Sequence, residues 1–196
     1  MKNTKTKKLV TCAIMVALAT VLSLFTLVEM PLGGKLTPLS MVPIVLISVM
    51  YGLKWGFASS FVYSVIQFIF GITIEGLFAW GLTAWSLIGC ILLDYIIAYT
   101  VIGIAGIFRK KGTVGIIAGS VIALVLRFVS HLLSGVVIFA KYEQFVVFGK
   151  EWVGRPWLYS AAYNGFYMLP EIVLTAITIG IIVQIPVVKK TVNTRN

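Results

Sequence analysis

Six long runs of apolar residues, separated by short polar or glycine-containing stretches, organise this chain of 196 residues. Backbone groups in a bilayer must find hydrogen-bond partners within the protein, so each run is predicted to be a helix. Crossing the hydrocarbon core takes about 20 residues. The predicted spans, 9–28, 38–53, 55–72, 82–108, 114–140 and 156–187, form a single all-α membrane domain over 1–196, with basic tails at 1–8 and 188–196.

The first predicted span follows a basic flank, as the core of a signal peptide would. It is too long for such a core, and no small-residue cleavage site follows it. We therefore expect it to remain in the mature protein. The second and third spans are short, and a tight turn at Tyr51-Gly-Leu-Lys54 joins them.

Composition agrees with a membrane location. The chain is 60% hydrophobic and 11% charged, whereas a soluble domain is about 25% charged. Its mean hydropathy is +1.04. The net charge of +10 could suggest a nucleic-acid partner. We expect none, because the charges cluster at the ends of the predicted spans, where they orient a protein in the lipid bilayer.

The distribution of basic residues predicts that both termini are cytoplasmic. With that orientation, eleven cations lie inside and four outside, as the excess of Lys and Arg in cytoplasmic loops requires. The inner set is Lys2, Lys5, Lys7, Lys8, Lys54, Arg109, Lys110, Lys111, Lys189, Lys190 and Arg195, and the outer set is Lys35, Lys141, Lys150 and Arg155.

Several polar side chains fall inside the predicted spans, where they are costly and usually mark a site or an internal pair. A rise of about 1.5 Å per residue places Asp94, His131 and Asn164 in one layer of the outer half of the membrane. Tyr159 and Tyr163 lie just above that layer. We expect three helices to bring these groups into one cavity open to the outside.

Arg127 and Glu171 lie deeper in the predicted spans. We expect them to form a structural ion pair, because an unpaired charge at that depth would be expensive. Arg127 and His131 are four residues apart and so share a helix face. Two alternatives stay open: His131 could be a packing histidine, and Asp94 could be the partner of Arg127.

A carboxylate among aromatic rings suits a cationic or amine-bearing ligand. The sequence has no phosphate-binding loop, no His-Glu-x-x-His and no carboxylates paired at metal-ligand spacing, so we predict no catalytic, metal or cofactor site. Cys12 and Cys90 both fall inside apolar segments and are predicted to be packing residues. A small membrane enzyme, with His131 and Asp94 as acid and base on a lipid-like substrate, is the alternative from another class.

The loops on the predicted outer side are rich in aromatic residues. The 73–81 loop carries Glu75, Phe78 and Trp80, and the 141–157 loop carries five more rings. Such rings commonly form a belt at headgroup level. The alternative is a lid over an outward-facing pocket. The rings of the second loop are Tyr142, Phe145, Phe148, Trp152 and Trp157.

Several stretches resemble the substrate-binding S subunits of energy-coupling-factor (ECF) transporters, in particular the thiamine-specific ThiT/YuaJ family. The resemblance implies six helices that capture thiamine from outside, with a transmembrane coupling protein and two cytoplasmic ATPases as partners. The matching stretches are Pro31-Leu-Gly-Gly-Lys-Leu-Thr37, Ser40-Met-Val-Pro43, Tyr51-Gly-Leu-Lys-Trp-Gly56, Leu92-Leu-Asp-Tyr95, Gly103-Ile-Ala-Gly106, Arg127-Phe-x-x-His131-x-x-Ser-Gly135 and Tyr159-Ser-x-x-Tyr-Asn164-x-x-Tyr-Met-Leu-Pro170.

The same resemblance implies roles for individual residues. The small residues Ala13 and Ala17, four apart on the first span, match the motif that faces the coupling protein. Some members have glutamate in place of Asp94, and an aromatic that can be tryptophan is here Phe139. The segment from Glu75 to Ser86 lacks the family's His-Pro-x-Gln pattern, and Trp85 is our candidate there for a stacking ring. The implied ligand-binding set is Asp94, Tyr95, His131, Tyr159, Asn164, Phe139 and Trp85. The same kind of module could instead take another vitamin or amine.

Overall fold

The computed structural model describes residues 4–141, 146–147, 150–151 and 154–193. Most of these residues are helical. Helices α1, α2 and α3 are Thr4–Ser23, Val42–Tyr51 and Leu53–Thr73. Helix α4 comprises the consecutive segments Ala84–Cys90, Ile91–Ile97, Ala98–Thr100 and Val101–Lys111, with a kink at Phe108. Helices α5, α6 and α7 are Gly112–Val137, Pro156–Ile182 and Pro186–Asn193.

Helix α4 changes its winding along its length. Ala84–Cys90 is α-helical, Ile91–Ile97 is a π-helix, and Val101–Lys111 is 3₁₀-like. The helix begins at Thr83, whose hydroxyl accepts a hydrogen bond from Ser86 N at 3.3 Å, the usual N-cap arrangement. Wide π turns occur frequently at functional sites, and this one carries two residues from the predicted ligand-binding set.

The six helical runs expected from hydropathy are present, with corrected ends. Helix α1 stops at Ser23 rather than at residue 28, because the chain turns into a short strand. The last run breaks after Ile182, and α7 restarts at Pro186, a residue that favours the first turn of a helix. Among the described residues, four helical stretches are long and apolar enough to cross a membrane.

One of those stretches, Ala84–Val137, is 54 residues long and contains two spans. Gly112, with a φ of +69°, turns the chain between α4 and α5. Helix α2 has only ten residues, and nine of them are buried. Because it is apolar on every side, it lies inside the bundle rather than against lipid. It packs against α1, α3 and α4 at the centre of the main apolar cluster.

Helices α2, α3 and α4 approach one another closely at small residues. Ser48 Oγ on α2 donates to Gly103 O at 2.5 Å and accepts from Gly106 N at 2.9 Å. A Cβ at Gly56 would lie 2.6 Å from Gly103 O, and one at Gly106 would lie 2.3 Å from Ser48 O. Glycine is therefore required on both helices, and these contacts fix α4 against the buried helix.

A hairpin closes one end of the bundle, opposite the end where α1 begins. Strands β1, Val28–Glu29, and β2, Lys35–Leu36, pair antiparallel. The connection contains Leu32 and Gly33 with φ of +57° and +85°. We call residues 28–36 the hairpin and this side the hairpin end. A second short pair joins β3, Val146–Val147, to β4, Lys150–Glu151; Tyr142, Phe145, Phe148 and Trp152 of that predicted aromatic loop lie outside the described residues.

Candidate ligand-binding site

A cavity of about 70 Å³ lies at the hairpin end, among α3, α4, α5 and α6. The hairpin covers it with Leu32, Gly33 and Gly34. Six of the seven predicted ligand-binding residues line it: Asp94, Tyr95, His131, Phe139, Tyr159 and Asn164. Three separate helices thus bring the predicted polar layer to one space.

Asp94 and His131 form the centre of that layer. His131 Nδ1 lies 2.8 Å from Asp94 Oδ1, and Ser134 Oγ donates to Asp94 Oδ2. An ionised carboxylate only accepts, so Nδ1 carries the proton, and in the neutral imidazole Nε2 is then the acceptor. No residue that the structure describes bonds to Nε2. The arrangement leaves an orientated acceptor beside a carboxylate, which suits a ligand with N–H or O–H donors.

Asn164 is held by its neighbours on α6. Its Nδ2 donates to Ser160 O at 2.9 Å and Ser160 Oγ at 3.1 Å, and Tyr167 OH donates to its Oδ1 at 2.7 Å. The residue is only 4% exposed. A Cβ at Gly135 on α5 would lie 2.1 Å from Ser160 Oγ. The two helices therefore meet closely here, and the amide Nδ2 also donates to the backbone carbonyl of His131 on the neighbouring helix at 3.4 Å.

The deeper charges, Arg127 and Glu171, face each other. Arg127 Nη1 lies 3.0 Å from Glu171 Oε2, and both side chains are at most 4% exposed. Ser40 Oγ donates to Glu171 Oε1 at 3.1 Å. The Arg127 guanidinium also lies 4.6 Å from the centre of the Tyr99 ring. Since Arg127 has this partner and Asp94 has His131, the alternative that Asp94 pairs with Arg127 does not hold.

The aromatic walls differ from the expected ones in one position. Trp85, our candidate for a stacking ring, is 84% exposed and does not line the cavity. Trp80 lines it instead and meets Phe139 edge to face, with ring centres 6.1 Å apart. Tyr159 and Tyr163 stack at 6.1 Å, and the Tyr163 hydroxyl donates to Pro31 O in the hairpin.

Sequence reasoning missed Glu75 as a wall of the cavity, because it follows α3 in a loop without periodicity. Its Oε2 accepts from Tyr95 OH at 3.0 Å, and its Oε1 lies 3.2 Å from Lys35 Nζ in the hairpin. Trp80 Nε1 donates to Glu75 O at 3.0 Å. The acidic and aromatic residues of this loop could have indicated a cavity wall, because a lid over the pocket was one of the two interpretations of the loop.

The fold and the cavity define a multi-pass membrane protein with a partly enclosed polar site. The family model described as "Thiamine transporter protein (Thia_YuaJ)" matches residues 9–190, and the chain belongs to this family. It is 32% identical over 187 residues to the thiamine transporter ThiT of Bacillus subtilis, with 88% of each chain covered. Because the family is one of transporters, the chain is not an enzyme, and the membrane-enzyme alternative is wrong.

A solved structure of ThiT from Listeria monocytogenes has the same fold. The TM-score is 0.71 at 23% identity, and the match covers 97% of this chain and 99% of the other. The prediction of a six-helix membrane bundle is thereby confirmed.

Proposed function

We propose that this chain is the S component of an ECF transporter, which captures thiamine from outside and depends on partner subunits for ATP-driven uptake. The observation that carries the proposal is the cavity itself. It joins two carboxylates, an imidazole with a free acceptor and an orientated amide to a set of aromatic rings. That combination matches a cationic, aromatic ligand with an amino group, and the curated relative from Bacillus subtilis is named as a thiamine transporter.

The ligand's two rings would use different parts of the cavity. Asp94, His131 and Asn164 supply two acceptors and an amide at one wall, which suits the amino group and ring nitrogens of the aminopyrimidine. Trp80 and Phe139 supply flat faces for stacking. The thiazolium would lie near the remaining rings, where its positive charge is favoured by their faces. Tyr95 and Tyr159 complete the walls.

The exposed face of α1 supports the coupling protein as a partner, and the two ATPases are proposed from the resemblance to S subunits. Only 17% of the most apolar 18-residue stretch of this helix is buried in the bundle. Ala13 and Ala17 lie four apart on that face, and both are exposed. Small residues at this spacing let another membrane helix approach closely. With both termini in the cytoplasm, the hairpin end faces the outside and this pair lies near the cytoplasmic end.

Titration of the purified protein with thiamine tests the proposal. Trp80 lines the cavity, so its fluorescence should be quenched in a saturable manner with about one ligand per chain. Trp80→Phe should remove most of the quench, whereas Trp85→Phe should leave it, because Trp85 is 84% exposed. A panel of other vitamins and aromatic amines is the comparison. Tight binding of another compound, with none of thiamine, would identify a module of the same class with another ligand.

A further inference from the structure

In the part of the chain that the structure describes, the end of the bundle opposite the hairpin carries cations and no carboxylate side chain. We call it the basic end; it comprises residues 4–12, 51–55, 107–114 and 183–193, and these segments contain neither Asp nor Glu. Its nine basic residues are Lys5, Lys7, Lys8, Lys54, Arg109, Lys110, Lys111, Lys189 and Lys190. An excess of cations orients a membrane protein, but two segments of this end also place lysines beside exposed apolar side chains.

Helix α7 is the first of these segments. Val188 and Val192, four residues apart, pack on the main apolar cluster, and Val192 is only 4% exposed. The helix also contacts the buried helix α2. Lys189 is exposed, and Val187 is 73% exposed. A helix with one buried side, basic residues and an apolar residue left outside has the composition of helices that lie in the plane of a bilayer surface.

The turn between α4 and α5 is the second segment, and it lies beside the start of α7. Gln184 Nε2, two residues before α7, donates to Thr113 Oγ1 at 2.8 Å. Lys110 and Lys111 end α4, and both are exposed. Val114, just after the turn, is 80% exposed. The two segments therefore present lysines and apolar side chains on neighbouring parts of one surface.

We infer that α7 and the α4–α5 turn together bind an anionic phospholipid. Its phosphate lies between Lys110, Lys111 and Lys189, and its acyl chains cover the two exposed valines. A phospholipid supplies both the negative charge and the apolar surface that this site needs, whereas a soluble phosphate supplies only the charge. With the termini in the cytoplasm, the site faces the leaflet in which anionic lipids attract basic segments. The inference goes beyond the proposed function, because no residue of the ligand cavity takes part in it.

Native mass spectrometry of the full-length protein, released from nanodiscs of equal parts phosphatidylglycerol and phosphatidylcholine, tests the inference. The wild type should retain phosphatidylglycerol in preference to phosphatidylcholine, because the ammonium of the second lipid compensates its phosphate. A triple variant with Lys110→Gln, Lys111→Gln and Lys189→Gln should lose at least about tenfold of this preference. Thiamine titration of the same variant verifies that it is folded, because the changed lysines do not line the ligand cavity.

The matched control removes three charges from another segment of the basic end, through Lys5→Gln, Lys7→Gln and Lys8→Gln on α1. It should keep the preference of the wild type. Equal losses in the two triple variants would show attraction by net charge alone and overturn the site, as would a wild type without any preference. Unchanged lipid retention together with lost co-purification of the ATPases would assign the lysines to a protein partner and overturn the lipid.

Two further measurements keep the inference testable. Glycerol phosphate, which is the soluble headgroup without acyl chains, should not displace the lipid at equal concentration; displacement would assign the site to a soluble anion and overturn the inference. If the triple variant fails to fold, the single charge reversal Lys189→Glu should lower the preference for phosphatidylglycerol by about fivefold or more. An unchanged preference in that variant contradicts the site.

Discussion

His131 Nδ1 lies 2.8 Å from Asp94 Oδ1, and this contact joins α5 to the π segment of α4. The carboxylate fixes which ring nitrogen carries the proton, and Ser134 holds its other oxygen. The acceptor offered to the ligand by His131 is therefore set by a residue on another helix.

We expect Asp94→Asn to weaken thiamine binding by about 10- to 100-fold, the range for losing hydrogen bonds to a charged group. The amide cannot accept from both His131 and Ser134 as the carboxylate does, so the imidazole loses its fixed tautomer. Fluorescence titration of the purified variant measures the effect. Asp94→Glu is the control that keeps the charge. Wild-type affinity in Asp94→Asn would contradict a ligand-orienting role for this residue.

The Arg127–Glu171 pair predicts a non-additive effect on stability. Arg127→Met leaves a carboxylate that is 1% exposed without its cation, which should lower the free energy of unfolding by about 3–5 kcal/mol. Arg127→Met combined with Glu171→Leu should recover much of that loss, because no buried charge remains. Denaturation in detergent micelles provides the comparison, with the exposed Lys54→Met as control. A double variant as unstable as the sum of the two single variants contradicts the pairing.

Two glycines should respond oppositely to alanine. Gly106→Ala places a methyl group 2.3 Å from Ser48 O, a backbone atom of the buried helix α2, so the helices must separate. The loss should be about 1–3 kcal/mol, as for other overpacked sites. Gly165→Ala places its methyl 3.7 Å from Leu169 Cδ1 and should be neutral or stabilising, since alanine favours helix. Unfolding temperatures of both variants decide the matter; similar values for the two would contradict the close approach.

The α1 face predicts a defect in assembly without a defect in binding. Ala13→Trp and Ala17→Trp put a large ring where the coupling protein should approach, so co-purification with that protein should be lost while thiamine titration stays unchanged. Ala118→Trp is the control, because it changes an exposed alanine of α5, whereas α1 packs mainly on α2 and α3. Retained assembly in both α1 variants argues that this face meets lipid only.

The sequence was sufficient to predict the helices and the polar layer, because Asp94, His131 and Asn164 interrupt otherwise apolar runs. Polar groups in such runs usually face the interior of the bundle. The sequence was insufficient to predict the contact between Glu75 and Lys35, because both lie in loops, where no periodicity indicates the direction of a side chain. Their meeting depends on how the hairpin folds over the bundle.

The prediction of Trp85 as the stacking ring, where the structure has Trp80, was wrong for a similar reason. The two rings are close in sequence, and which one faces the cavity depends on where α4 begins. The Thr83 cap starts the helix just before Trp85, so that ring is carried on the helix surface. Trp80 remains in the preceding loop, held by its bond to the Glu75 carbonyl. A shift of a few residues in a helix start decides such a case, and hydropathy does not fix it.

The π segment at Ile91–Ile97 makes residue count, and not only residue type, a determinant of this cavity. A π turn holds one residue more than an α turn, so ordinary α winding would absorb the loss of one residue there and leave the two flanks of α4 in place. Loss of one residue between the π segment and the part packed through Gly103 and Gly106 would instead swing the acid by about 100° around the helix axis. A relative with every side chain of the site would therefore still fail to bind the ligand if the number of residues between the acid at position 94 and the glycines at 103 and 106 differed.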